Sequence, residues 1–170
     1  MEETTSLERS GEMYDLIERE LKIIAAARLR QERSASLSTG DLINEAMLRL
    51  QQLENIDWQG KPHLLAVAST FMRRILIDHA RRKQADKRAH QKVTLVTSLP
   101  DRETSIEIFD LERALAALRD VDKERCDIVE MRFFGGMTNE QIGDVLGLSE
   151  ATVKRRWSAA RAWLQDYLSD

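Results

Sequence analysis

One cysteine in 170 residues, Cys126, leaves no partner for an intramolecular disulfide, which fits a reducing compartment. Proline is almost missing too: only Pro62 and Pro100 occur, so long stretches are free to be helical. No apolar run approaches the roughly 20 residues of a membrane-spanning helix. The opening MEETTSLERSGEM is acidic and polar, unlike a secretory signal. Convincing β alternation is absent as well, and VTLVTSL at 93–99 is the only β-rich run. His63, His79 and His90 lack metal-ligand spacing. No carboxylate cluster and no nucleophile with a base is evident. These absences predict a cytoplasmic protein with no membrane insertion, no metal, no cofactor, no small-molecule substrate and no enzymatic activity.

What is present is enough apolar and charged material for a core and a solvated surface, 42% and 32% of the residues. The net charge is −3, but the charges are segregated. Residues 1–72 carry net −4, 73–92 net +6, 93–148 net −6, and 149–170 net +1. Two basic islands in an acidic chain attract phosphates locally while the remainder discourages indiscriminate binding. The acidic stretch near 101–130 has the right sign to dock on the first island and cover it.

The 3.6-residue apolar repeat predicts helices throughout. Tyr14, Leu16, Ile17, Leu21, Ile24 and Leu29 mark a helix over about 11–33. After SLSTG, with Ser38 or Thr39 as cap, a second covers about 41–54, with Leu42, Ile43, Ala46, Met47, Leu50 and Leu53 on its apolar side. The loop ENIDWQGKP, with Gly60 and Pro62, leads into a long helix over about 63–90. VTLVTSLPDRETS, 93–105, has turn chemistry and reads as a linker. A second helical unit begins near Ile106. Phe109, Leu111, Leu115 and Leu118 mark one helix, and Cys126, Ile128, Val129 and Met131 mark the next, ended by Gly135-Gly136. The fold class is all-α, with two small helical domains, 1–92 and 106–170, joined by the 93–105 linker.

The last two helices form a helix-turn-helix. Thr138 caps the first, with Gln141 three residues on as a capping-box partner. Ile142, Val145 and Leu146 are its buried stripe, Gly147 ends it, Leu148 plugs the turn and Ser149 caps the next. In the final helix Val153, Trp157, Ala160 and Leu164 share a buried face. The opposite face holds Ala151, Arg155, Ser158 and Ala162, flanked by Thr152, Lys154 and Ala159. Small residues around one outward Arg suit entry into a major groove, where the guanidinium can pair with a guanine edge. Lys154 and Arg156 are placed for phosphates or for neighbouring acidic groups.

In HLLAVASTFMRRILIDHARRKQADKRAH, Leu64, Leu65, Ala68, Phe71, Met72, Ile75, Leu76 and His79 share one face. Ala66, Thr70, Arg73, Arg74, Ile77 and Arg81 lie on the other, and the helix then becomes almost wholly basic. Like charges crowded on a helix cost stability unless a polyanion offsets them. Asp78 and His79 are adjacent and do not face each other, and His79 reads as a structural histidine. Trp58 in the preceding loop is either a lid over the core or an aromatic face for an unstacked base.

Taken in order, these features resemble a bacterial RNA polymerase sigma factor of the small, two-domain extracytoplasmic-function type. The resemblance runs from about residue 11 to 168. DLINEAMLRL, 41–50, is similar to the family's helix that grips the clamp coiled coil of core polymerase. FMRRILIDHARRKQADKR, 71–88, is similar to its −10 promoter helix, and the C-terminal stretch to its −35 reader. Asn44 departs from the usual Gln, and GKPHLLAVASTFMRRILIDHARR lacks the Trp and Tyr common there.

The resemblance implies a non-enzymatic initiation factor. Its partners would be core RNA polymerase, promoter DNA and, as regulator, an anti-sigma factor; no extra inhibitory domain is expected at its start. Core polymerase would be met by Asp41, Leu42, Glu45, Ala46, Leu48 and Arg49. The −10 element would be met by Asn55, Trp58 and Lys61 in the base-capture loop and by Thr70, Arg73, Arg74, Ile77, Arg81 and Arg82 on the helix. The −35 element would be met by Ser149, Ala151, Thr152, Lys154, Arg155 and Ser158. The linker would thread toward the polymerase active-site channel. The alternative is a helix-turn-helix regulator binding duplex DNA without polymerase, which leaves DLINEAMLRL and the first basic island unexplained. An enzyme acting on nucleic acid would need a metal box, clustered carboxylates or an activated nucleophile.

Overall fold

The computed structural model describes residues 2–28, 38–53, 59–85, 94–97 and 104–169. Among them the order is α1 (Glu2–Arg28), α2 (Thr39–Gln51), α3 (Gly60–Ala85), β1 (Thr94–Thr97), β2 (Thr104–Glu107), α4 (Ile108–Val121), α5 (Lys123–Gly135), α6 (Asn139–Leu146) and α7 (Glu150–Ser169). The all-α reading holds, with one small exception that begins inside the expected 93–105 linker and runs two residues past its end. There, β1 and β2 pair antiparallel, Thr94 opposite Glu107 and Thr97 opposite Thr104. A two-stranded ribbon is marginal alone, and here β1 lies against α1 and β2 against α4.

The helix ends follow local chemistry. Ser38 takes the cap of α2: its hydroxyl accepts from the Asp41 N–H at 3.1 Å, and the Asp41 carboxylate accepts from the Ser38 N–H at 3.1 Å and its hydroxyl at 2.8 Å. This capping box, worth about 1 kcal/mol, starts α2 two residues earlier than the apolar pattern predicts. α3 also starts early, at Gly60, whose φ of 81° needs a residue without Cβ. α1 begins well before its first apolar repeat. The stretches 29–33 and 86–90, expected to continue α1 and α3, lie outside the described residues. Asp122 ends α4 and caps α5, accepting from the Arg125 N–H at 3.0 Å. Gly136, at φ 58°, closes α5 in the left-handed conformation.

Two helical sets result. Ile17, Leu21 and Ala25 of α1 join the inner faces of α2 and α3, and α4 to α7 enclose Leu111, Leu115, Ile128, Phe133, Ile142, Val153, Ala160 and Leu164. The sets are not separate. α3 packs on α4, α5 and α6 as well as on α2, and α1 touches α5. Small residues permit this approach: a Cβ added to Gly135 would stand 3.1 Å from the Ser69 Cβ and 3.4 Å from the Leu65 carbonyl oxygen. α3 is therefore buried on two sides. Ala66, Ser69 and Ile77, outside its main apolar face, are at most 9% exposed.

Candidate nucleic-acid interface

The helix-turn-helix forms as its sequence predicts. Thr138 and Gln141 close a reciprocal capping box: Thr138 N–H donates to Gln141 Oε1 at 3.0 Å, and Gln141 N–H donates to Thr138 Oγ1 at 3.2 Å. Gly147 has φ 67°. The Ser149 hydroxyl accepts from the Thr152 N–H at 3.3 Å and donates to its hydroxyl at 2.9 Å, which opens α7. Val153, Ala160 and Leu164 are fully buried. Trp157 is half-buried, and the Arg132 guanidinium sits 5.2 Å from its ring centre while donating to Asn139 Oδ1 at 2.7 Å. These contacts bind α5, α6 and α7 together. Ala151, Lys154, Arg155, Ser158 and Ala162 remain exposed, with Thr152 at the edge. Arg156 takes the protein-facing of its two expected roles, pairing with Glu124 at 2.5 Å.

One glycine that matters here escaped the sequence pattern. A Cβ at Gly143, inside α6, would stand 2.5 Å from the Leu148 carbonyl oxygen. The turn folds back over this position, and the Leu148 N–H donates to the Gly143 carbonyl at 3.0 Å. Nothing in the i, i+3, i+4 apolar pattern marks such a close approach; only the position of the turn does.

The basic helix divides into two parts. Arg74, Arg81 and Arg82 are exposed. Thr70, Arg73 and Ile77 are not on an open surface. Arg73 grips Glu112 with two parallel bonds, Nε to Oε2 at 2.9 Å and Nη2 to Oε1 at 2.8 Å, and reaches Glu130 Oε2 through Nη1 at 2.5 Å. Thr70 Oγ1 donates to Glu130 Oε1 at 2.6 Å. Arg119 adds a bond to Glu130 at 3.3 Å, leaving the Glu130 side chain 8% exposed among three donors. The Glu112 hydrogen bonds, then those of Glu130, hold the Arg73 guanidinium more firmly protonated against the cost of burial. In the sequence, docking of the acidic stretch near 101–130 on the first basic island is a match of charge sign alone; the individual partners Glu112 and Glu130 were not readable. Lys61 is half-buried and paired with Glu20 of α1. Asn55 and Trp58 lie outside the described residues.

His79 is buried, as a structural histidine should be. Burial, then Lys83 and Arg82, push its imidazole below the ordinary range. Cys126 is fully buried in the α4–α5 contact, its thiol donating to the Leu115 carbonyl at 3.3 Å. Burial pushes that thiol upward, so it packs as a small apolar side chain.

On α2 the structure corrects two contact assignments. Leu42 and Ala46 are fully buried among α1, α2 and α3; they set the helix's position and have no surface to offer a partner. The outer ridge carries Asp41, Asn44, Glu45, Leu48 and Arg49. Leu48 is 57% exposed, unusual for a side chain of its size. Arg49 bonds Glu45 at 2.6 Å and lies 4.0 Å from Asp78, holding the ridge's charges in order.

A capped helix-turn-helix with a small-residue outer face, packed beside a basic helix, is an arrangement that helical DNA-binding proteins use. A family model described as ECF sigma factor matches residues 6–170, and the chain belongs to that family. It is accordingly a sigma factor, directing RNA polymerase in transcription initiation, and the family is one of regulatory proteins rather than enzymes. No protein of curated function matches the chain in sequence. Among solved structures, the sigma factor RpoE of Bartonella quintana, determined in complex with the anti-sigma factor NepR, is 18% identical, with a TM-score of 0.44 over 95% of this chain and 97% of that one. Among the described residues no helix is long and apolar enough to cross a membrane.

Proposed function

We propose that promoter recognition is divided between two units, 1–92 and 106–170, joined by 93–105, and that each carries a separate part of initiation. The observation that supports this most is α7: Ala151, Arg155 and Ser158 stand exposed opposite a fully buried Val153, Ala160 and Leu164 row. That arrangement fits a helix entering the −35 major groove, with Arg155 on a base edge and Lys154 on phosphate. The Ser149 and Thr152 hydroxyls at the helix start are placed for backbone phosphate. Core RNA polymerase is met by the α2 ridge through Asp41, Glu45, Leu48 and Arg49. The −10 strand is met by the basic end of α3 through Arg74, Arg81 and Arg82, with Thr70, Arg73 and Ile77 joining once they are uncovered, and by the Asn55–Lys61 loop. Unstacking a base costs a few kcal/mol, which a base pocket and strand contacts offset. Two DNA contacts on one polymerase gain by effective concentration what neither holds alone. The working compartment in this reading is the cytoplasm, and an anti-sigma factor competing for the same surfaces is the regulator it admits.

The test is co-elution of the purified protein with core RNA polymerase, followed by mapping of transcription starts on genomic fragments. A stoichiometric complex that opens new start sites is expected. A folded protein that binds duplex promoter DNA but never the core enzyme would overturn the reading and leave a stand-alone helix-turn-helix regulator.

A further inference from the structure

We infer that the outer face of α1 is a docking surface for a second copy of this chain, laid antiparallel across it. α1 turns Ile17, Leu21 and Ala25 into the core, each at most 1% exposed. At 100° per residue the opposite face carries Glu12, Leu16, Arg19, Ile23 and Ala26, with Asp15 and Lys22 along one edge. All of these are exposed. Leu16 and Ile23 stand two turns apart on one stripe, 43% and 72% exposed. They stay so although α1 packs on α2, α3, α5 and β1. A single outward leucine is ordinary on a protein surface. Two large apolar side chains aligned along a helix form the kind of seam on which helices pair.

Charge order selects the occupant. Along this face the acidic groups come first, Glu12 and Asp15, and the basic ones follow, Arg19 and Lys22. A two-fold axis across α1 reverses that order in the copy. The acidic end of each helix then lies over the basic end of the other, and Leu16 of each copy lies beside Ile23 of its partner. A parallel copy would set Asp15 against Asp15 and Lys22 against Lys22, and like charges so placed repel. Lys22 bonds Glu18 one turn back on its own helix at 2.5 Å, an exposed pair that is readily exchanged for Asp15 of the copy. Because the contact is isologous, each pairing occurs twice. A seam this narrow falls short of the roughly 1,200–2,000 Å² of a stable interface, so the dimer is reversible and concentration-dependent.

Sedimentation velocity of the full chain over a wide concentration series tests this. Wild type should pass from the 19.6 kDa of one chain toward twice that mass. Leu16→Gln/Ile23→Gln should raise the dissociation constant at least about tenfold, because each lost apolar contact is lost on both sides of the axis. Its Tm should hold, since neither side chain is in the core. Asp15→Lys should weaken the dimer about threefold by opposing Lys22 of the copy. Asp15→Lys/Lys22→Glu should bring the constant back toward the wild-type value. A substitution that merely weakened α1 would not be repaired by a second one, and neither would a clash in a parallel pair.

A wild-type protein that stays monomeric throughout, or a charge swap that leaves the loss unrepaired, would overturn the antiparallel copy. Core polymerase is added to the same variants in parallel. Loss of self-association with core binding intact supports the dimer. If Leu16→Gln/Ile23→Gln self-associates like wild type but no longer joins core polymerase, the face belongs to the enzyme and the second copy is ruled out.

Discussion

Replacing Gly143 by Ala sets two effects in opposition, and the structure says which wins. By helix propensity alone the change stabilises α6 by about 0.8–1.0 kcal/mol. The new methyl, however, would lie 2.5 Å from the Leu148 carbonyl oxygen, about 1 Å inside an ordinary carbon–oxygen contact. That oxygen belongs to the backbone of the turn and cannot rotate away. Overpacking of this kind costs about 1–3 kcal/mol, and a fixed backbone partner places it at the upper end. The net expectation is a loss of about 1–2 kcal/mol, or roughly 2–8 °C in Tm for a cooperative unit of this size. Relief must come from moving Leu148 and the Ser149 cap, which tilts α7. Duplex −35 binding should therefore weaken at least about tenfold, since each 1.4 kcal/mol of misplacement is a factor of ten. Gly147→Ala is the control. It pays about 1–2 kcal/mol for the left-handed backbone, but its Cβ meets nothing within 4 Å, so α7 stays in place and affinity holds. Thermal unfolding by circular dichroism and duplex titration measure both. A Gly143→Ala protein as stable as wild type, with unchanged affinity, would refute the close-approach argument.

Three further outcomes are expected. Leu48→Ala and Glu45→Lys should each weaken the complex with core polymerase at least about tenfold while leaving Tm nearly unchanged, because neither side chain is in the core; Asp41 is a poorer probe, since it closes the α2 capping box. Normal core binding by both variants would remove the α2 ridge from the interface. Arg155→Ala should relax discrimination at one −35 position by about 1–3 kcal/mol, and uniform weakening across a set of duplexes would mean that it touches only phosphate. His79 is a base whose folded-state pKa lies below its unfolded value. The unfolded chain therefore takes up the proton first, and stability should fall as pH drops through the ordinary histidine range toward the folded value; a His79→Gln protein whose urea midpoint falls with pH by the same amount would assign that loss elsewhere.

Much of the site was legible because it is local. Capping boxes join residues three positions apart, so Thr138 with Gln141 could be read directly. For α2 the pattern offered two caps, and the competition between Ser38 and Thr39 was settled by which hydroxyl the Asp41 N–H could meet. The inner and outer faces of α7 follow from 100° per residue, and every outward position expected there is exposed or at the edge. The β ribbon in 94–107 was not legible, because four-residue strands give too short a pattern and owe their pairing to helices beside them. Leu42 and Ala46 show a different limit. A family resemblance names a helix as an interface, but only packing says which of its side chains face outward.

By itself the sequence determined the helical chemistry, the caps, the turn, the apolar stripe of each helix and the opposite charges of its middle segments. Those properties are carried by residues at most a few positions apart. The tertiary structure alone decided that α3 is covered on a second side, that Gly143 lies under a carbonyl, and that Arg73 finds Glu112 and Glu130, which are 39 and 57 residues away. Periodicity records the face a helix gives to its own core. Which distant helix covers its remaining surface is set by small residues such as Gly135 and Ser69, where two backbones can meet, and by carboxylates that only the assembled fold brings within reach of the guanidinium.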